Sequence, residues 1–296
     1  MTTIPPPGQH GGRAHLYGIE LELSASLNPV APDPTPLFER HLASLRHYPD
    51  ASRATAAMAE VLGVEPDKVL LTNGGAEAIA LVANELKRGW VEEPEFALYQ
   101  RHLIADQTAG RWLSDPNNPT GQLASADTLA TVRDEAFYPL ATGEWTRGDT
   151  DTIVVGSLTK VFACPGVRMG YVMAHDTELM QRLGDTQPLW SFSGLACESV
   201  PELLATAELV RWRDEIAALR AEMINVLNDR GWFPEPATAN YLWIPDAPGL
   251  RDALLTKSIL VRSAQSFGVP NGVRIAVPRP EHIATFLAAI PHRASD

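Results

Sequence analysis

A short apolar run at residues 69–72 leads straight into Asn73-Gly74-Gly75, and a helical pattern follows from residue 76 to about 87. Strand, glycines and helix in immediate succession mark an α/β architecture, because the buried strand needs a helix folded back over its sheet. The glycines permit a tight turn, and the helix start leaves backbone N–H groups and the positive end of its dipole facing outward. Taken alone, the unit fits a phosphate cradle or a plain strand-to-helix turn.

The same reading extends along the chain. Ser52 opens a helical pattern through Ala56, Met58 and Leu62, which Gly63 ends. Strand-like runs recur at 153–155 and 170–173, flanking a loop that holds Ser157, Thr159, Lys160 and Arg168. From about 201 to 230, Leu209, Trp212, Ile216, Leu219, Met223 and Val226 recur in steps of three and four. That spacing predicts one long amphipathic helix joining two lobes, ended by Gly231. Strands predicted at 241–244, 259–262 and 273–277 and a helix at 281–289 make a small α+β lobe. The expected domains are an N-terminal arm, 1–35, belonging to the small domain, a large domain, 36–192, and a small C-terminal domain, 193–296.

Composition narrows the function classes. At 296 residues the chain can bury a full core and a second lobe. A net charge of -12 argues against nucleic acid as the main partner, since phosphate backbones need a basic footprint. The two cysteines, Cys164 and Cys197, form no CxxC pair, and no histidine cluster has metal-ligand spacing, so no metal is expected. The start, with Pro5, Pro6, Pro7, Gly8, Gly11 and Gly12, lacks a signal-peptide core and reads as an extended arm. No run of about 18 apolar residues occurs, so the expectation is a cytoplasmic protein without a membrane span.

The chemistry-bearing residues come in a distinctive order. Asp115-Pro116-Asn117-Asn118-Pro119-Thr120-Gly121 is a rare string in which Pro119 and Gly121 fix a turn and Asn118 supplies an amide donor. Asp134-Glu135-Ala136-Phe137 follows, then Ser157-Leu158-Thr159-Lys160, with Gly166 and Arg168 downstream. Singly, these are a surface turn, a surface Asp, turn hydroxyls, a solvated Lys and a salt-bridged Arg. In combination and in this order, they resemble the fold-type I pyridoxal-phosphate enzymes over nearly the whole chain.

Within that superfamily the chain is similar to the histidinol-phosphate aminotransferases and, more narrowly, to cobalamin-biosynthesis relatives of the CobC and threonine-phosphate decarboxylase type. The narrower likeness rests on His10-Gly11-Gly12, Ser26-Leu27-Asn28-Pro29, Tyr48-Pro49-Asp50, and Phe137 where a tyrosine is more usual. The resemblance implies that Lys160 carries pyridoxal 5'-phosphate as a Schiff base and later moves the proton. It also implies that Asp134 pairs with the pyridine nitrogen, making the ring an electron sink. Asn118 is then the donor to the ring oxygen, and Phe96 stacks on the ring face. The cofactor phosphate falls to the backbone of Gly75 and Ala76, the hydroxyls of Ser157 and Thr159, and the Arg168 fork. Tyr48 reaches that phosphate from a neighbouring subunit, and the N-terminal arm reaches the neighbouring site as well, which implies a homodimer with composite sites. Asn28 and two arginines within apolar strands, Arg262 and Arg274, are candidates for the substrate, as a charge there is costly unless it binds an anion.

The chain also departs from the family. Residues 99–115 and 121–134 are short, and a parallel crossover needs about a dozen residues or more, so the large sheet is expected to be trimmed or rerouted there. Arg133 stands where an apolar strand residue is usual, and Tyr138 is expected to point away from the site if its segment is a strand. The function implied is aminotransferase or decarboxylase chemistry at the Cα of an amino-acid-like or amino-phosphate substrate. The alternatives are another carbanion-based bond formation in specialised metabolism and a pyridoxal-phosphate-binding protein without turnover. A dinucleotide site fits poorly, because residues 73–76 lack the full G-x-G-x-x-G spacing.

Overall fold

The computed structural model describes residues 11–293, so Pro5, Pro6, Pro7, Gly8 and His10 lie outside the described residues. In chain order the strands are β1 (Leu21–Leu23), β2 (Val69–Asn73), β3 (Arg88–Gly89), β4 (Ile104–Ala105), β5 (Trp112–Ser114), β6 (Val132–Asp134), β7 (Ile153–Gly156), β8 (Met169–Met173), β9 (Tyr241–Ile244), β10 (Ile259–Ser263) and β11 (Val273–Ala276). The helices are α1 (Thr35–Arg40), α2 (Ser52–Leu62), α3 (Gly75–Leu86), α4 (Leu98–His102), α5 (Tyr138–Thr142), α6 (Leu158–Val161), α7 (Thr177–Thr186), α8 (Gly194–Ala205), α9 (Leu209–Asp229), α10 (Leu250–Leu255) and α11 (Pro280–Ala289).

The large sheet runs β2-β8-β7-β6-β5. β8 is antiparallel to both neighbours while β5, β6 and β7 pair in parallel, so only β8 opposes the common direction. Both faces are covered, which is why its strands read as continuous apolar runs. Side chains alternate between two cores: Val154 joins Leu71 and Met173 on one face, and Val155 joins Ile79, Trp112 and Val172 on the other. The second sheet runs β1-β10-β11-β9, with β1 parallel to β10 and the rest antiparallel. Residues of β1 therefore complete the C-terminal sheet. One core is shared by both sheets, with Trp212, Ile216 and Met223 of α9 among Leu242, Ile244 and Ile275.

Two expectations need correction. The long helix is two, α8 and α9, broken at residues 206–208. The Thr206 N–H turns back to the carbonyls of Glu202 and Leu203, ending α8, and α8 packs against α2 of the large sheet's layer while α9 packs against α5. In addition, Tyr138 does not lie in a strand: it opens α5, and its ring is buried.

The shortening falls on connections more than on strands. β3 and β4 pair in parallel, and a Trp90–Arg111 bridge, with Trp112 N–H donating to the Trp90 carbonyl at 2.8 Å, ties them beside β5. Between β5 and β6 there is no helix, only coil. Coil laid over a sheet exposes carbonyls that need donors. Arg147 donates to the carbonyls of Ala124, Ser125 and Ala126, and Arg133 to that of Thr128. Asp115 accepts from the Ala124 N–H at 2.9 Å and pairs with Arg133 at 2.9 Å and Arg147 at 3.3 Å. Arg133 thus occupies a fully buried strand position because its guanidinium anchors the missing helix's replacement.

Candidate active site

The carboxyl ends of β2, β5, β6 and β7 open on one cavity of about 600 Å³, closed on the far side by β10, β11 and residues 11–25. Ligands of open α/β sheets bind at this end of the strands. Each strand hands over one part of the lining: Gly75 and Ala76 after β2, Ser114 and Asn118 around the end of β5, Asp134 at the end of β6, and Ser157, Thr159 and Lys160 after β7. Phe96, Phe137, Arg168, Arg262 and Arg274 complete the set.

Lys160 is half-buried and faces the Phe137 ring, its ammonium 5.9 Å from the ring centre. Burial first, and then the positive charges of Arg274, Arg168 and Arg262, push it down from 10.5 to about 8, against the pull of Asp134. A neutral amine is therefore accessible near neutral pH. Asp134 is buried; burial raises its pKa, while the Ala136 N–H at 3.0 Å and the Tyr99 hydroxyl at 2.9 Å hold it down.

Arg168 adopts a left-handed backbone with φ of 60°, and its guanidinium lies against Gly74. Gly74 itself has φ of 78°, and a Cβ there would fall 2.5 Å from Arg168 Nη2. Glycine thus clears space for the guanidinium at the N-terminus of the twelve-residue helix α3. On the opposite wall, Arg274 donates to Asn118 Oδ1 at 2.6 Å and to the Ser24 carbonyl at 3.2 Å, and stacks over Tyr241 at 4.8 Å. Arg262 donates to Ser266 Oγ at 2.9 Å and stacks over Phe267 at 5.2 Å. The Nε of both Arg262 and Arg274 is buried without a partner. Among the described residues no carboxylate pairs with Arg168, Arg262 or Arg274. Three cations and a lysine in one cavity leave anionic charge to be brought from outside.

This donor set fits pyridoxal phosphate: a helix N-terminus with a guanidinium for the phosphate, apolar lining that includes Phe96 and Phe137, a buried carboxylate and a lysine. Residues 102–290 match the model of the family Aminotransferase class I and II. A histidinol-phosphate aminotransferase of Methylococcus capsulatus is 27% identical, with 98% of each chain covered. The structure of histidinol-phosphate aminotransferase from Sinorhizobium meliloti in complex with pyridoxal-5'-phosphate superposes with a TM-score of 0.80 at 17% identity, covering 94% of this chain and 92% of that one. L-threonine-O-3-phosphate decarboxylase of Porphyromonas gingivalis gives 0.76 at 22% identity, covering 91% and 98%.

The chain belongs to the class I and II aminotransferases. It is a fold-type I, pyridoxal-phosphate-dependent enzyme of the transaminase kind. No helix among the described residues is long and apolar enough to cross a membrane.

Of the residues singled out in this aminotransferase sequence, Gly75, Ala76, Phe96, Asn118, Asp134, Ser157, Thr159, Lys160, Arg168, Arg262 and Arg274 all line the one cavity. The Thr159 hydroxyl, expected at the cofactor phosphate, is engaged with the backbone N–H and carbonyl of Met169 and so holds the residue beside Arg168. Asn28, expected at the substrate, lies outside the cavity lining: its amide donates to the Val161 carbonyl at 2.9 Å and accepts from the Val30 N–H at 3.0 Å. It braces the lysine-bearing turn instead, and its own N–H reaches the Lys160 carbonyl at 3.0 Å. Tyr48 is 79% exposed, stacked on Trp190 away from this cavity.

No motif marks Glu22, whose carboxylate accepts from the Ala14 and Ser24 N–H groups and fastens residues 14–24 beside the cavity. Tyr99 is a second such residue, its hydroxyl donating to Asp134 at 2.9 Å. Its signal is the three-residue spacing on the α4 approach, which places both rings on one side.

Proposed function

We propose that this enzyme binds pyridoxal phosphate on Lys160 and acts at Cα of an amino-acid-like or amino-phosphate substrate. The reaction is transamination or decarboxylation, of the histidinol-phosphate aminotransferase or threonine-phosphate decarboxylase type. The observation that carries this is the trio Arg168, Arg262 and Arg274, none of them paired with a carboxylate among the described residues, around Lys160. Arg262 and Arg274 are buried and Arg168 is half-buried; buried cations without counter-ions are costly, so the cavity is built to receive anions. Arg168, with Gly75, Ala76 and Ser157, takes the cofactor phosphate; Arg262 and Arg274 take the carboxylate or phosphate of the substrate.

When bound, the cofactor supplies an electron sink for a carbanion at Cα. Asp134 holds a proton on the ring nitrogen, fixed in place by Tyr99. Asn118 spends its acceptor end on Arg274 and keeps its donor end for the ring oxygen. Phe96 packs on the ring face, and Lys160 moves the proton at Cα. Arg262 and Arg274 would anchor the anionic groups of the substrate and so decide which bond at Cα is left to break. Among the described residues no tyrosine lines the cavity, and Tyr241, behind Phe137, donates its hydroxyl to the Asn117 carbonyl. A phenylalanine at position 137, in a cavity lining that holds no tyrosine among the described residues, agrees with the decarboxylase-like branch.

A second copy of the chain is part of this reading. Leu42, Leu45, Tyr48, Leu189 and Trp190 are all exposed, on two segments joined by the Tyr48–Trp190 contact at 4.5 Å. Apolar exposure of this kind marks an interface, and in a homodimer Tyr48 would reach the partner's phosphate site. Light scattering tests it, and a fully active monomer would remove it.

The reaction itself is tested by incubating purified protein and pyridoxal phosphate with threonine phosphate, or with histidinol phosphate plus 2-oxoglutarate, while following carbon dioxide and glutamate. Carbon dioxide without glutamate establishes decarboxylation, and glutamate without carbon dioxide establishes transamination. Neither product with any phosphorylated amine would sink the substrate assignment.

A further inference from the structure

Glu95 lies between the residues that fill the cavity, yet it does not line it. It is 3% exposed and lines a second, smaller cavity of about 280 Å³ behind the first; Ser114 is the common wall of the two. Every hydrogen-bond partner of the carboxylate is a donor, while the nearby Asp134 adds a like charge. The Phe96 N–H gives 2.7 Å, the Ser114 N–H 2.9 Å and the Asn117 amide 3.3 Å, and the Ser114 hydroxyl also donates to it. Burial pushes Glu95 up from 4.5 to about 8 against these donors. A carboxylate is expensive in such a place, and the sheet alone does not require one.

Its consequence runs through Ser114. With the hydroxyl proton turned to Glu95, the oxygen lone pairs face the Asn118 N–H, which donates to Ser114 Oγ at 2.7 Å. Asn118 in turn meets Arg274 at 2.6 Å. Three residues in series thus connect the buried Glu95 carboxyl to the donor expected at the cofactor ring and to the arginine expected at the substrate.

We propose that Glu95 is a positioning residue whose carboxylate orients the Ser114 hydroxyl, and so fixes the Asn118 amide in register with Arg274. The assignment rests on reading the cavity as the pyridoxal-phosphate site. Glutamine at position 95 keeps the volume but sets an amide N–H₂ against at least one donor, so the Ser114 hydroxyl loses its fixed orientation.

The test uses Glu95→Gln, Ser114→Ala and the double variant of the full chain. The dissociation constant for pyridoxal phosphate is read from tryptophan fluorescence at pH 9, where Glu95, raised to about 8, is ionised, and the melting temperature is read without cofactor. Each single variant weakens cofactor binding about tenfold, the loss of one hydrogen bond to a charged group, and the double variant weakens it no further. Unchanged binding in folded Glu95→Gln, or losses that add in the double variant, overturns the assignment. If Glu95→Gln does not fold, Ser114→Ala decides alone, and unchanged binding there overturns it. Wild-type protein that fails to bind pyridoxal phosphate at all overturns the functional reading, and this assignment with it.

Discussion

Arg274 Nη1 donates to Asn118 Oδ1 across 2.6 Å, binding β11 of the small sheet to the loop that follows β5 of the large one. The two residues are 156 positions apart, and both are buried. Replacing Arg274 by lysine keeps the charge but removes the planar fork. We expect kcat/KM for the anionic substrate to fall by about 10- to 100-fold, the worth of a buried charged hydrogen bond. A variant within twofold of wild type would show that Arg274 does not bind substrate.

Gly74 and Arg168 make a second close pair. Gly74 has φ of 78° and ψ of 166°, a region almost confined to glycine, and a Cβ there meets Arg168 Nη2 at 2.5 Å. Gly74→Ala should cost about 1–3 kcal/mol in stability and displace the guanidinium, raising the dissociation constant for pyridoxal phosphate. Arg168→Ala should raise it too, without the backbone cost. Chemical denaturation and a binding titration of both variants separate the two effects.

Lys160 is held down to about 8 by burial and by three arginines. The rate at which cofactor-free protein takes up pyridoxal phosphate should rise as pH passes through about 8, where the amine becomes neutral. Arg262→Ala removes one positive neighbour, so that midpoint should move to higher pH. Lys160→Ala should abolish the absorption band of the bound cofactor. A midpoint that moves down in Arg262→Ala would contradict the electrostatic origin of the shift.

Stability of the cofactor-free protein should also depend on pH in a defined direction. Glu95 is raised from 4.5 to about 8 and Glu135 from 4.5 to about 7, both chiefly by burial. Between these limits the native state binds more protons than the unfolded chain, so stability is full below about 4.5 and is lost as pH rises through 7 and 8. Thermal melts from pH 5 to 9 check this, and Glu95→Gln should flatten the upper part of the decline.

The coil between β5 and β6 depends on a buried ion-pair cluster. Removing one partner of such a cluster leaves an uncompensated charge, so Arg133→Ala should lower stability by about 3–5 kcal/mol, measurable by urea unfolding. A loss below about 1 kcal/mol, the scale of a surface pair, would mean that Asp115 and Arg147 hold the coil without it.

Local order along the chain was enough to identify the α/β class and the cluster of Lys160, Asp134, Asn118 and Arg168. Turn residues and helix starts are encoded by neighbours, and reactive side chains follow strand ends that apolar runs make visible. Periodicity, by contrast, did not place the start of the long helix, because the periodic positions from Leu209 to Val226 all lie in α9 and residues 201–205 belong to α8. The uses of Asn28, Thr159 and Glu95 were equally hidden, since a polar side chain names the bonds it can make but not which partner arrives. For Asn28 that partner is Val161, at a separation of 133 positions. Only the tertiary structure brings Arg133 and Arg147 onto the coil after β5 and turns Asn118 toward Arg274, because buried donors and acceptors are assigned together, by competition across the whole fold.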